Sequence, residues 1–513
     1  MADHFEATLK EESSVDTKSA PAFEKQASPS FFKRHKKKLL GAAALAALAV
    51  IIIPSAVIGT RNNNPGTSQS QSDTTTSSSD DGTDGFDDSK QVNAETPPLN
   101  QKFKYGEEPI RGVNLGGWLV LEPFITPSIF EQFDPSEGVI DEWTLCEKLG
   151  PDEAKKQLQD HYDTWVTEDD FKKIADMGIN HIRIPTGHWA FNPVEGEPFV
   201  PNLAFEYLVK GVQWARKYGL RVMVELHTAP GSQNGWNHSG RVGDIRWMNG
   251  PNGPHNANLT MDTVLPMVEF FSRPEWTNVV TMFGVLNEPA IYKMKQDEVR
   301  QWYLDSYYSI RNITGEGKGP LLTYHEGFIG LPKWKGFMPN TTFDRTVLET
   351  HTYLIFDQSL VSMSQEKQSE YPCQQWKPDL EQSGNDFGQT MVGEFSAATN
   401  DCAKYLNGIG VGRRYDGTFK QGEPPVCPNC TCNGTEDWQT WTDDYKQFLR
   451  QFIERQMDAF ETNIGWYFWN FKTENHANPH WDYLLGVEQG WIPSDAGKRS
   501  FSCAEITNPG NDS

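Results

Sequence analysis

Eight short apolar runs, separated by helix-like stretches, constrain this chain more than anything else in it. They are Gly112–Leu121, His181–Pro185, Arg221–His227, Val279–Asn287, Leu321–His325, Val347–Tyr353, Thr390–Glu394 and Asn463–Trp469. Each has the length and residue types of a strand. Between them the pattern turns helical. Thr167-Glu168-Asp169-Asp170 is an N-cap signal that opens a helix through Met177, and Gly178 stops it. Ala204–Tyr218 is a second such helix, stopped by Gly219. Strands alternating with helices predict an α/β chain, and eight such units predict a closed (β/α)8 TIM barrel. Barrels of this kind run past about 250 residues as one domain.

The C-terminal ends of these runs carry the chemistry. The third ends in Glu225-Leu226-His227, the fourth in Asn287-Glu288-Pro289 and the sixth in His351-Thr352-Tyr353. The seventh ends in Gly393-Glu394-Phe395 and the eighth in Phe468-Trp469-Asn470. In a (β/α)8 barrel those ends converge on one face, where catalytic groups sit. Cleaving a sugar acetal needs a proton for the leaving oxygen and an electron pair for the anomeric carbon, and two carboxyls supply both. Strands four and seven face each other across the mouth, so Glu288 and Glu394 fit the pair. The acid needs a raised pKa and the nucleophile must stay ionised, so their surroundings should differ. Asn287 is placed to hydrogen-bond the sugar 2-OH. Periodicity alone leaves Glu122, Glu225, Glu326, Glu349 and Glu474 in contention.

The N-terminal part is different material. Residues 1–38 are polar, end in the basic cluster Lys33–Lys38 and read as a disordered tail. Residues 39–59 form a run of 21 without a charge. As a helix it would span about 31 Å, enough for a bilayer core. The lysines before it place the tail in the cytoplasm and the rest outside, as a single-pass type II signal-anchor in the plasma membrane. A signal peptide cleaved after Pro54-Ser55-Ala56 competes, but the long polar lead-in and the length of the run favour the anchor. Residues 60–99, rich in Ser, Thr and Asp, read as a stalk, and 100–513 as the catalytic barrel.

Other signals agree with an outside location. All seven cysteines lie beyond the anchor, so disulfides are expected with one thiol left over. Cys427-x-x-Cys430-x-Cys432 also has the look of a zinc cluster, which an oxidising compartment disfavours. Asn-x-Ser/Thr sequons begin at Asn237, Asn258, Asn312, Asn340, Asn429, Asn433 and Asn511. A net charge of −23 argues against a nucleic-acid partner. The 17 Trp are compatible with sugar binding, since pyranose C–H groups pack on aromatic faces, although much of this load is ordinary packing.

The motifs carry a resemblance. Arg111-Gly-Val-Asn-Leu-Gly-Gly-Trp-Leu-Val-Leu-Glu-Pro-Phe, His181-Ile-Arg-Ile-Pro, His227-Thr-Ala-Pro-Gly-Ser-Gln-Asn-Gly, Leu286-Asn-Glu-Pro and Gly393-Glu-Phe-Ser resemble fungal exo-β-1,3-glucanases of glycoside hydrolase family 5. The match runs from about Phe103 to Cys503. It implies a retaining enzyme with Glu288 as acid/base and Glu394 as nucleophile. Arg183 matches the arginine that orients the nucleophile. His227, Asn287, His351 and Tyr353 match positions beside the reacting sugar. Glu122 matches a residue holding that sugar, and Trp469 the aromatic floor beneath it. Trp236 stands where Phe is frequent and, with Phe356, would clamp the next glucose. Phe124 replaces a usual tyrosine, which removes a hydroxyl contact. Asn237 lies inside a motif and is not expected to carry a glycan. By the same analogy the disulfides are Cys373–Cys503 and Cys402–Cys432, with Cys427–Cys430 following and Cys146 free.

The implied activity is removal of glucose from β-1,3-glucan during cell-wall remodelling, by a monomer without metal or organic cofactor. A β-1,6-glucanase or transglucosylase of the same fold is the alternative. A non-catalytic wall-glucan-binding protein is disfavoured by the two glutamates together with Asn287.

Overall fold

The computed structural model describes residues 86–506. The tail, the 39–59 segment, residues 60–85 of the stalk and Asn511 lie outside the described residues. Among those described, no helix is long and apolar enough to cross a membrane.

Eight parallel strands close in sequence order: β1 (Ile110–Asn114), β2 (His181–Thr186), β3 (Arg221–Leu226), β4 (Val280–Gly284), β5 (Leu321–His325), β6 (Thr346–His351), β7 (Thr390–Phe395) and β8 (Gly465–Phe468). Closure comes from β1 pairing with β8, Gly112 opposite Tyr467. Helices follow most strands, among them Glu168–Asp176, Leu203–Tyr218, Gly253–Phe271, Gln296–Thr314 and Asp443–Phe460. The first has the capping box its sequence announces, Thr167 with Asp170. Gly219 ends the second in the left-handed conformation. Between β5 and β6 the helical turn is only the 3-10 segment Leu331–Trp334.

β1 is shorter than its apolar run. The chain turns at Gly116 and Gly117, where Trp469 lies against Gly116 so closely that a Cβ would collide with its ring. Leu119, Val120 and Leu121 are buried all the same. That run signals burial in a loop as well as a strand.

The barrel interior is layered. At the bottom Phe103, Met223, Met282, Met391 and Tyr467 form an apolar plug. Above it the side chains are charged: Arg183, Glu225 and Glu349 are buried in the middle. Glycine makes the room, since a Cβ at Gly284 would strike Glu225 and one at Gly393 would strike Glu349. The plug isolates this layer from solvent below, so it faces only the mouth.

Residues 87–99 carry stalk-like composition but pack on the folded part. Asp88 pairs with Arg216 at 2.8 Å and accepts from Asn278 at 2.9 Å. Arg221 donates to the Pro97, Pro98 and Gln101 carbonyls at 3.1 Å. Hydrogen bonds to barrel side chains hold this segment together with the buried Leu99, and its polar composition hides it from hydropathy.

Cys373–Cys503, Cys402–Cys432 and Cys427–Cys430 are disulfides, and Cys146 is a buried free thiol. The thiols of the suspected zinc cluster are thus spent in disulfides. Asn237 is buried.

Candidate active site

Residues two apart on a strand share a face. Glu225 and His227 therefore both point into the mouth, and so do Glu349 and His351. Arg183 reaches this layer from β2 and is its hub. Its Nη1 stands 3.0 Å from Glu394 Oε1, Nη2 3.4 Å from Glu225 Oε1 and Nε 3.2 Å from Glu349 Oε1. It also donates to Asn114 at 3.0 Å and to Asn287 at 2.7 Å. One guanidinium thus ties together strand ends from around the barrel.

Glu394 accepts a second hydrogen bond at Oε2, from the Tyr353 hydroxyl at 2.9 Å. Glu288 is held by two imidazoles. His351 Nδ1 lies 2.5 Å from its Oε1 and His238 Nε2 lies 2.9 Å from its Oε2. His351 Nδ1 is also 3.4 Å from Glu394 Oε2. Glu288 Oε1 and Glu394 Oε2 can then be no further apart than 2.5 Å plus 3.4 Å, or 5.9 Å. Retaining sites hold their carboxyls about 5–5.5 Å apart, whereas inverting sites need about 6.5–9.5 Å.

The backbone at Glu288 is left-handed, φ 44°. A non-glycine residue in that region costs on the order of 1 kcal/mol or more. Neighbouring amides hold it there: Gln233 donates to the Asn287 carbonyl at 2.9 Å and Asn234 to the Glu288 carbonyl at 3.2 Å. The motif following β3 therefore serves the glutamate following β4. His227 Nδ1 lies 2.9 Å from Glu225 Oε2, and its ring stacks on Trp469 with centroids 5.7 Å apart. Its Nε2 faces the Asn287 amide at 3.4 Å, which leaves the Nδ1 proton for Glu225.

Neighbouring groups set the titration of the two carboxyls. Burial pushes Glu288 up, but hydrogen bonds from His238 and His351 outweigh it and hold the carboxyl well below the usual range. Burial pushes Glu394 up, and the charge on Glu288 adds to this against His351 and Arg183. The surroundings differ as expected, with the opposite sense. Burial disfavours the imidazolium of His351, yet Glu394, Glu288 and Glu349 raise its pKa to about 10. Burial raises Glu225 to about 8. Arg183 and His351 override burial at Glu349 and hold it at about 2.

Glu122 is buried in the mouth, and its Oε1 has no hydrogen-bond partner. Burial raises its pKa to about 8 despite His238, with Glu394 and Glu288 adding to the rise. A neutral carboxyl with a spare oxygen suits a sugar hydroxyl. Glu288, His325 and His351 bring possible metal donors within 4.8 Å of one another. His325 Nδ1 accepts from the Gly327 amide at 2.9 Å, so its Nε2 carries the proton of the neutral ring. Within this cluster Glu288 and His351 are bonded to each other.

Trp236 packs on Phe328, from the loop after β5, with centroids 5.5 Å apart. Phe356 is 45 % exposed and touches Tyr353, centroids 5.8 Å apart. Phe124 is buried edge-on against Trp481 at 5.4 Å. Glu326 caps the Gly330 amide and Glu474 binds Ser128, so neither of these two acids joins the pair. Sequence reasoning left Asn114, Glu225, Glu349 and His238 without roles. Two-residue strand periodicity from His227 and His351 finds both glutamates. Nothing in the sequence singles out His238, whose loop is not periodic.

A profile described as Cellulase (glycosyl hydrolase family 5) matches residues 151–409. The chain is 40% identical over 431 residues to a probable glucan 1,3-beta-glucosidase D of Aspergillus terreus, covering 82% of this chain and 51% of that one. It is 39% identical over 430 residues to glucan 1,3-beta-glucosidase D of Emericella nidulans, with 82% and 51% covered. The chain thus spans about half the length of these relatives. Among solved structures, a rutinosidase from Aspergillus niger aligns with a TM-score of 0.57 at 20% identity, covering 76% of this chain and 99% of that one. At that identity the likeness is one of fold.

Proposed function

This chain belongs to glycosyl hydrolase family 5, and we propose that it is a retaining glycoside hydrolase that removes glucose from the non-reducing ends of β-1,3-glucan. The observation that carries this reading is the single imidazole nitrogen of His351 shared by Glu288 and Glu394, which keeps Glu288 Oε1 within 5.9 Å of Glu394 Oε2, short of the inverting range. The name of the relatives, glucan 1,3-beta-glucosidase D, supports the linkage and the product.

Glu394, oriented by Arg183 and Tyr353, attacks the anomeric carbon. The bond to the leaving glucan breaks, and its oxygen takes the proton of the Glu288 carboxyl. Glucose is then an ester of Glu394. Glu288 next removes a proton from water, the hydroxide oxygen attacks the anomeric carbon, and Glu394 departs with the β configuration restored. Glu122 and Asn287 face the sugar hydroxyls, and Trp469 lies beneath the ring.

Product analysis on laminarin and on a β-1,6-glucan, with the anomer followed by NMR, tests this. The expected result is β-glucose from laminarin alone. Internal oligomers without glucose, or α-glucose first, would overturn it.

We infer the location from sequence: residues 39–59 anchor the barrel on the outer face of the plasma membrane. The three disulfides support an oxidising compartment. Recovery of the chain in the soluble fraction of lysed cells, without detergent, would contradict the anchor.

A further inference from the structure

The two imidazoles at Glu288 are not equivalent. The His351 side chain is wholly buried, and its Nε2 is held 3.3 Å from Glu349 Oε1. Both of its nitrogens face carboxylates, which favour its imidazolium form. His238 sits in the 3-10 turn Asn237–Ser239 at the mouth, with its side chain 21% exposed.

That turn is built to aim a side chain. Ser239 Oγ bonds Ser232 Oγ at 2.6 Å and donates to the Trp236 carbonyl at 2.7 Å. The His238 ring lies between His227 and Trp236, with centroids 5.7 Å and 5.4 Å away. Asn234, which holds the Glu288 carbonyl, lies 3.2 Å from His238 Nε2. The same loop therefore fixes both the backbone and the carboxyl of Glu288.

We propose that His238 is a positioning residue for Glu288, fixing the rotation of its carboxyl and the pH at which it releases its proton. The inference rests on the reading of Glu288 as acid/base. In a retaining cycle that carboxyl alternates between protonated and ionised forms. An imidazole nitrogen can donate to the ionised form and accept from the protonated one, so the contact survives both. The groups facing His238 are Glu288, Glu122 after β1, Glu394 on β7 and His227 after β3. Arg183 and His351 lie behind Glu288. Burial disfavours charge on His238, but the Glu288 hydrogen bond and the carboxylates outweigh it and raise its pKa.

The test uses the full chain with His238→Ala and His238→Gln. The kcat/KM pH profile is measured on laminaritriose, whose leaving group needs a proton, and on 2,4-dinitrophenyl β-glucoside, whose leaving group does not. His238→Ala should lose about 10-fold or more on laminaritriose, a part of the usual general-acid contribution, and less than about twofold on the activated substrate. Its alkaline limb should move to higher pH, because Glu288 loses a donor that favours its ionised form. His238→Gln keeps a neutral donor and should recover part of the rate. If His238→Ala does not fold, as judged by thermal unfolding, the limb and rate ratio of His238→Gln decide. Equal losses on both substrates, or an unshifted limb in an active enzyme, overturn the inference alone. A wild-type chain inactive on both substrates overturns the glycosidase reading and this inference with it.

Discussion

Arg183 on β2 and Glu394 on β7 meet across the barrel, Nη1 to Oε1 at 3.0 Å. The same guanidinium faces Glu225 and Glu349. Removing it strands three carboxyls in a layer closed from below, and breaking buried pairs of this kind costs about 3–5 kcal/mol. Arg183→Met should therefore fold poorly, with a markedly lower melting temperature. Arg183→Lys keeps the charge but not the fork, and should fold with kcat lowered by roughly 100-fold as Glu394 loses its orientation. Calorimetry and kinetics on the two variants separate these effects. A well-folded, active Arg183→Met protein contradicts the hub.

The roles of the two glutamates separate by leaving group. Glu288→Ala should lose about 10²–10⁴-fold on laminari-oligosaccharides but far less on 2,4-dinitrophenyl β-glucoside. Glu394→Gln should lose turnover on both while still binding oligosaccharide. Azide added to Glu288→Ala should give β-glucosyl azide, whereas with a small residue at 394 it should give the α anomer. The reverse pattern exchanges the assignments.

Much of this site was legible because barrel geometry turns strand ends into neighbours. His227, Asn287, Glu288, His351 and Glu394 all follow or end strands, and all meet. The electrostatics were not legible. Glu288 was expected to have a raised pKa, but His238, in the loop after β3, and His351, at the end of β6, hold it down. Pair distances set protonation, and no spacing along the chain encodes them. The contact of Trp236 with Phe328 was not legible either. Loops lack the fixed period from which strands and helices are read.

Stability should peak in mild acid. Glu349 is depressed from 4.5 to about 2, so its contribution is present above about 4.5 and is lost as pH falls toward 2. Glu122 and Glu225 are raised from 4.5 to about 8, so the folded state binds more protons than the unfolded one between those values. Stability then falls as pH rises through that window. His351, raised from 6.5 to about 10, contributes fully below 6.5 and loses its contribution as pH rises through 10. Melting temperature against pH should thus be highest near 4.5 and decline toward 9. Glu122→Gln should flatten the slope between 4.5 and 8; an unchanged slope removes Glu122 from the account.

The disulfides should differ in weight. Cys373–Cys503 spans 130 residues and Cys427–Cys430 spans 3. Chain-entropy reasoning gives about 5 kcal/mol for the first and about 1–2 kcal/mol for the second. Replacing both cysteines of the long loop by Ser should lower the denaturation midpoint much more than the same change at 427 and 430. Equal shifts would show that native packing, not loop closure, decides.

Trp236 should govern what happens beyond the cleaved bond. Its ring stands against Phe328 at 5.5 Å and beside His238 at 5.4 Å, and His238 in turn holds Glu288. A glucose departing past Glu288 should meet that aromatic wall. Aromatic packing of this kind is worth about 1 kcal/mol beyond area burial, or roughly fivefold in binding. Trp236→Ala should raise KM for laminaritriose by about that factor and leave the dinitrophenyl glucoside, which has no second sugar, nearly unchanged. The same loss weakens an incoming glucan acceptor, so the ratio of transfer product to free glucose should fall at high substrate concentration. Trp236→Phe keeps a ring and should lie between. If KM rises equally for both substrates, Trp236 shapes the pocket as a whole and is not a wall for the second sugar.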